Sequence, residues 1–368
     1  MTKFIPIAKP QILKSDIDLA SKALKDGWNK KHIFYLNKFE NKFKKKLSAK
    51  YAIATSSCTG ALTLALASLK LKKGSEIILS NLNWIATVSP VVNLGYKPIF
   101  CDVDLKNWCI STDQIKKKIT KKTKAVIFTH LYGNLCEISK IKKYLKKKKI
   151  YIIEDAAEAL GSKVNGLYAG TLGDFGCFSF HASKTITTGE GGMLITNNSK
   201  LNKIAKKLSN HGRSKKNYKA YFADDVGYKF KMTNPQAAMG ISQISRLDKI
   251  IKRKREIFNY YKKNIKYEFL DFNFEESGLK NSYWLTSVYV KKKHFNFKKF
   301  KNYMKIKDVD IRSFFPPLST LPMFKRKENF KNSNILFLNS FNLPSYLSLT
   351  NSDQDRIINL VNNYFEIL

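Results

Sequence analysis

The sequence predicts an α/β fold with a mostly parallel central sheet, followed by a smaller α+β domain. Three observations predict it. Between residues 50 and 200 short apolar runs alternate with longer helical stretches, the pattern of βα units whose strands lie parallel beneath covering helices. The loops that leave those runs carry small, acidic and basic residues, and in such sheets chemistry gathers at the carboxyl ends of the strands. After Arg246 the alternation stops, and the charged helical stretch "RLDKIIKRKREIFNYYKKNI" leads toward the strand-like "YWLTSVYV". The expected division is a large domain over residues 1–245 and a small one over 246–368.

Each unit can be read in order. "YAIAT" is a strand that runs through "SSCTG" into the helix-like "ALTLALASLKL". "SEIILS" is followed by the helical "WIATVSPVVNLG" and then by a strand in "KPIFCDVD". "KAVIFTHLYG" precedes a lysine-rich helix over 137–149, and "IYIIEDAAEALG" supplies the next strand. "FSFHASKTITTGEGG" then sets an aromatic strand against a glycine-rich loop. No repeat or low-complexity linker interrupts the series.

Composition excludes several functions. The formal charge of +39 invites a nucleic-acid reading, but 60 of the 67 basic residues are lysine and only seven are arginine. Recognition of phosphates and base edges draws on arginine forks, and these lysines are scattered through every segment. The charge reads as a solvated surface whose field could draw in anionic substrates such as nucleotide diphosphates. Five scattered cysteines form no C-x-x-C pair, which is the pattern of reduced thiols in a cytoplasm. No stretch approaches the roughly 20 apolar residues of a membrane span, and no signal-like apolar region opens the chain. The expectation is a cytoplasmic protein that binds neither nucleic acid nor membrane, with no metal site.

Three loops carry the chemistry. In "SSCTGA" a strand, small polar residues and a glycine lead into a helix, so Thr59 and Gly60 read either as an anion nest at a helix N-terminus or as an ordinary capped turn. "IIEDAAEALG" ends a strand on Glu154 and Asp155; a carboxylate there holds a base, a metal or a protonated ring nitrogen, or caps a helix starting at Ala156. Glu158, three residues on from Asp155, lies within capping-box range. In the third loop Lys184 follows Ser179. A lysine in a partly desolvated site becomes a nucleophile toward carbonyls. An aldehyde cofactor bearing a phosphate needs a lysine to condense with, an acid for its pyridinium nitrogen and an anion nest. Candidates for all three are present, and Trp84 in "SNLNWIATVSP" offers an aromatic face for the ring.

The segments "EDAAEALGS", "GDFGCFSFHASKTITTGEGGM" and "VGYKFKMTNPQAAMGISQISRLD" resemble the DegT-type nucleotide-sugar aminotransferases, over nearly the whole chain. That resemblance implies the fold type I architecture of pyridoxal 5'-phosphate (PLP) enzymes. Within the family the likeness is to members that aminate C4 of GDP-4-keto-6-deoxymannose, with glutamate as donor. The resemblance makes Lys184 the residue that condenses with the cofactor aldehyde and shuttles the proton. It makes Asp155 the partner of the pyridine nitrogen, Trp84 the stacking ring, and Thr59, Gly60 and Ser179 phosphate ligands. Asn234 matches an asparagine that reaches the phosphate from a neighbouring subunit, which implies a homodimer with composite sites. Relatives that remove a sugar hydroxyl carry histidine in place of the lysine, so Lys184 argues for transamination. Amination at C3, a UDP- or dTDP-linked sugar, and a non-catalytic regulatory or nucleic-acid-binding protein remain as alternatives.

Two positions depart from the family pattern. Glu158 stands where many relatives carry glutamine beside the cofactor phenolate, and a second carboxylate there would be repelled unless protonated or turned away. Lys231 replaces a frequent arginine, so a planar fork is lost. His181, Arg213 and Arg312 are the candidates for meeting the substrate, with His130 behind them and His211 beside Arg213. Arg312 sits among apolar residues, where a buried ion pair would explain it equally well.

Overall fold

A computed structural model describes residues 3–213, 222–325 and 328–367. Two amphipathic helices, α1 (Lys14–Asp26) and α2 (Phe34–Leu47), precede the first strand, β1 (Tyr51–Thr55). The βα series follows as α3 (Cys58–Ser68), β2 (Glu76–Ser80), α4 (Ile85–Asn93), β3 (Lys97–Cys101), α5 (Thr112–Lys118), β4 (Thr123–Thr129), α6 (Ile138–Lys147) and β5 (Tyr151–Asp155). A short hairpin, β6 (Lys163–Val164) and β7 (Leu167–Tyr168), then leads to β8 (Phe175–Ser179), β9 (Gly192–Thr196) and α7 (Ser199–Leu208). The helices α8 (Asn234–Ser245) and α9 (Leu247–Asn264) carry the chain to the C-terminal part.

The main sheet has the order β1-β9-β8-β5-β4-β2-β3. Its pairs from β8 through β3 are parallel, as the βα alternation predicts. β9 is the departure: it lies antiparallel between β1 and β8. Strands β2 and β9 are buried along their whole length because helices cover both faces. The helix patterns follow from the layer each occupies. α6 buries Ile138, Ile141 and Leu145 and turns its lysines to water, whereas α3 packs against β9, α4 and α7 and is apolar nearly all round.

The second sheet joins β10 (Leu270–Phe272), β12 (Thr286–Val290), β14 (Ser340–Leu343) and β13 (Arg312–Ser313), all antiparallel. β11 (Leu279–Lys280) instead extends the β6–β7 hairpin. Helices α10 (Phe297–Ile306), α11 (Lys331–Asn339) and α12 (Asn351–Ile367) complete this part. The apolar cores cross the expected boundary at residue 246 from both sides. Ile5 bridges to Val309 and packs into the C-terminal core, while Leu318 and Phe330 pack back into the core of the main sheet. A hydrophobic pattern names the layer a residue belongs to only through its neighbours in sequence, and both excursions are too short to have any.

Candidate active site

A cavity of about 390 Å³ opens at the carboxyl ends of the parallel strands. Of the expected site residues, Thr59, Trp84, Asp155, Glu158, Ser179, His181, Lys184 and Arg312 line it. Gly60, Asn234 and Arg213 are not among its lining residues.

Lys184 lies in the connection from β8 to β9, held in a turn by its own amide donating to the His181 carbonyl at 2.9 Å. Its Nζ stands 3.1 Å from Glu158 Oε1 and 3.7 Å from the centroid of the Trp284 ring. Among the described residues Lys184 is the lysine that lines the cavity, with its amine between a carboxylate and an aromatic face. Glu158 gives its other oxygen to the amide of Tyr132 at 2.9 Å, which a left-handed backbone at Tyr132 (φ 54°) presents to it. Burial pushes the Glu158 carboxyl above its ordinary range, and the Lys184 ammonium pulls it back. The expected repulsion of a second carboxylate is thus met by a cation and a backbone donor.

Asp155 is the last residue of β5 and is buried. Thr87 Oγ1 donates to its Oδ2 at 2.6 Å, and the amide of Ala157 reaches Oδ1 at 3.2 Å. The residues after it form turns, so no helix begins at Ala156 and the capping reading of Asp155 fails. Glu154 points the other way. Its carboxylate gathers the amides of Gly170, Leu172 and Gly173, and it faces His130 Nε2 at 2.9 Å. The amide of Cys136 donates to His130 Nδ1, which leaves the ring proton on Nε2 for Glu154. This pair supports the loop beneath the site and does not line the cavity.

The helix start also divides its residues. Ser57 caps α3 by accepting from the Gly60 amide at 3.0 Å. Cys58 and Thr59 line the cavity, and the first amides of a helix have no acceptor within it. A Cβ at Gly60 would come within 3.1 Å of the Phe230 ring, so that ring lies close against the start of α3. Ser179 ends β8 at the cavity wall, its Oγ near the His181 amide at 3.4 Å. Trp84 precedes α4 and is 53% exposed as a residue, its ring tilted toward Phe315 at 5.8 Å.

The rim is polar. His181 Nδ1 meets Ser183 Oγ at 3.0 Å, and its Nε2 lies 3.7 Å from Glu190 Oε1. Arg312 was expected among apolar neighbours, yet its side chain is 63% exposed, with Nε 3.8 Å from Asp310 Oδ2. The side chain of Asn234 is committed inside its own chain: its amide nitrogen donates to the carbonyls of Gly27, Lys31 and His32. Arg213 and His211 stand apart from the cavity near Lys231, whose ammonium burial and the neighbouring Lys229 and Arg213 charges pull downward. Lys231 itself donates to Asn210 at 2.8 Å.

Sequence reasoning missed Trp284, Thr87, Tyr132 and Phe315. Thr87 follows Trp84 by three residues and shares its helical face, so helical spacing could have found it. Trp284 and Phe315 come from the C-terminal part, and nothing local marks them.

A lysine amine, a buried carboxylate, a helix N-terminus and an exposed aromatic face converge on one cavity. That donor set fits a phosphorylated aldehyde cofactor with a basic ring nitrogen, and it defines a PLP-dependent aminotransferase. The chain belongs to the DegT/DnrJ/EryC1/StrS aminotransferase family, whose model matches residues 10–362. It is 36% identical over 364 residues to the GDP-perosamine synthase of Escherichia coli O157:H7, covering 99% of each chain. It is 35% identical to that of Vibrio cholerae over 369 residues, with 99% of this chain and 100% of the relative covered. The fold is shared with Helicobacter pylori PseC, an aminotransferase involved in pseudoaminic acid biosynthesis, at a TM-score of 0.92, 24% identity and full coverage of both chains. Aminotransferases of this family use PLP, and this chain is one of them.

Proposed function

We propose that the protein moves an amino group from an amino acid, glutamate by family resemblance, to C4 of a nucleotide-linked 4-keto-6-deoxy sugar. The sugar we assign is GDP-4-keto-6-deoxymannose, which would give GDP-perosamine. The observation that carries this choice is end-to-end similarity to two GDP-perosamine synthases, together with a lysine whose amine lies in the cleft.

The bound cofactor would supply an electron sink that makes the carbon next to the migrating nitrogen acidic. Asp155 would hold the ring nitrogen's proton, with Thr87 fixing the carboxylate by its 2.6 Å bond. Lys184 would move the donor's α-proton to the cofactor in the first half-reaction, which releases the keto acid, and a proton from the cofactor to the sugar carbon in the second. Its amine starts between Glu158 and Trp284, so the carboxylate keeps a cation's place ready while the indole limits its swing. The amides of Cys58 and Thr59 and the Ser179 hydroxyl would take the phosphate. His181 and Arg312 at the rim are placed to meet the sugar diphosphate.

The same reading makes the enzyme a cytoplasmic homodimer with composite sites, feeding polysaccharide or O-antigen synthesis. Among the described residues no helix is long and apolar enough to cross a membrane. In the dimer reading Asn234 faces the neighbouring subunit's phosphate site, its buried Oδ1 having no hydrogen-bond partner among the described residues. Purified protein given glutamate and a panel of GDP-, UDP- and dTDP-linked keto sugars tests the assignment. Amination of the GDP-linked sugar at C4 is expected. Turnover with a UDP-linked sugar alone, or nitrogen at C3, overturns the substrate and leaves the aminotransferase class intact.

A further inference from the structure

Among the described residues Lys254 is the lysine the fold buries, at 5% exposure on the inner face of α9 between Ile250, Ile251, Ile257 and Phe258. Both of its hydrogen-bond partners are backbone carbonyls: Trp284 O at 3.0 Å and Ser345 O. Burial pulls its ammonium down to about 7. An apolar side chain of similar shape would avoid that cost, so the group is to be understood by what it holds.

What it holds is the residue that covers the catalytic amine. Trp284 is fixed at both ends, its carbonyl by Lys254 and its indole Nε1 by the Ser183 carbonyl at 2.6 Å. Its ring stacks on Tyr132 at 6.0 Å and faces Lys184 Nζ at 3.7 Å. Ser345 in turn donates its amide to the Ile7 carbonyl, so one ammonium ties α9, the entry to β12, the exit of β14 and the N-terminal segment. Lys184 and Lys254 also line the same small cavity, of about 20 Å³.

We propose that Lys254 is a positioning residue for the catalytic lysine: by fixing the Trp284 backbone it sets the indole face that the Lys184 amine meets, and so couples the active site to the C-terminal sheet. The titratable groups about Lys184 are Glu158, Asp155, Cys58 and His181 at the main cavity, with Lys254 and Lys9 at the small one. Those about Lys254 are Lys9 and Tyr346 at the small cavity, with Tyr261 on its own helix bound to the Pro344 carbonyl. An aromatic face stabilises a nearby cation, so a loosened indole favours loss of the proton from the lysine nitrogen.

The proposal rests on the aminotransferase class and not on which sugar is used, so its test contains no sugar. Lys254→Met, Lys254→Gln, Trp284→Leu and the Lys254→Met/Trp284→Leu double variant are loaded with PLP. The pH midpoint of the visible absorbance, the PLP dissociation constant and thermal unfolding are measured for each. The Lys254 variants and Trp284→Leu are expected to lower the midpoint by about 0.5 unit and weaken PLP binding several-fold. The double variant should shift no further than Trp284→Leu alone. A lowered melting temperature with midpoint and affinity unchanged in either Lys254 variant, or shifts that add in the double, overturns the proposal. Lys254→Gln keeps one donor and serves if the methionine variant does not fold. Wild-type protein that develops no visible absorbance with PLP would instead count against the class.

Discussion

The two walls of the cavity are built by different rules. One wall comes from βα units: the start of α3, the end of β5, the end of β8 and Trp84 before α4. Each group there sits at or just past the carboxyl end of a strand, so its position follows from where that strand stops. The other wall comes from Trp284, Arg312 and Phe315, which arrive from the second sheet across long sequence separations. The first wall holds groups that carry or accept charge. The second mostly sets shape around them. A site of this kind divides chemistry from positioning along the same line that divides its two sheets.

Substitutions can break or sharpen that contrast. Lys184→Ala should remove turnover by about a thousandfold or more and abolish the visible cofactor absorbance, with melting temperature little changed. Asp155→Asn keeps an oxygen for Thr87 and loses the charge; kcat should fall by about a hundredfold or more in steady-state assays. On the second wall, Trp284→Leu should cost only about three- to thirtyfold in kcat/KM, the range of a desolvated cation–aromatic contact. A Trp284 loss as large as that of Asp155 would erase the distinction.

Glu158 gives a pH-dependent test. Burial raises its pKa in the folded protein above the ordinary value of 4.5, so the native state binds a proton there more tightly than the unfolded chain. Stability therefore falls as pH rises through the interval between the two values. Glu158→Gln should flatten that part of the stability curve in denaturant titrations at a series of pH values, and an unchanged slope would count against it. The smallest effect belongs to Tyr132→Phe. The Phe315 amide donates to the Tyr132 hydroxyl at 3.1 Å, and losing that acceptor should cost about 1 kcal/mol in denaturant unfolding.

The same contrast explains what was legible in the sequence. Lys184, Asp155, Thr59 and Ser179 could be found because each follows an apolar run of strand length. The parallel order of β8 through β3 was legible for the same reason. β9 was not, since a buried strand of five residues has the same composition whichever way it runs. The ring that a Cβ at Gly60 would crowd was not legible, because Phe230 lies 170 residues away in sequence. Arg312 lines the cavity as a substrate candidate would, and its 63% exposed side chain sets aside only the buried ion pair that its apolar sequence neighbours suggested. Trp284 was invisible because its role depends on a carbonyl held by Lys254 and an indole held by Ser183, neither of which is near it in sequence.

The antiparallel placement of β9 has one more consequence. Parallel neighbours need a covering helix to join them, and its length fixes where the chain can return. The connection from β8 to β9 is relieved of that duty. Its two ends are tied directly, the Phe180 amide donating to the Gly191 carbonyl at 2.8 Å, so the turn that carries Lys184 hangs from one closed rung of the sheet. Its own contacts then hold it: Ile186 packs in the main core and the Ser183 carbonyl takes the Trp284 indole, so side chains and not a covering helix fix where the lysine stands.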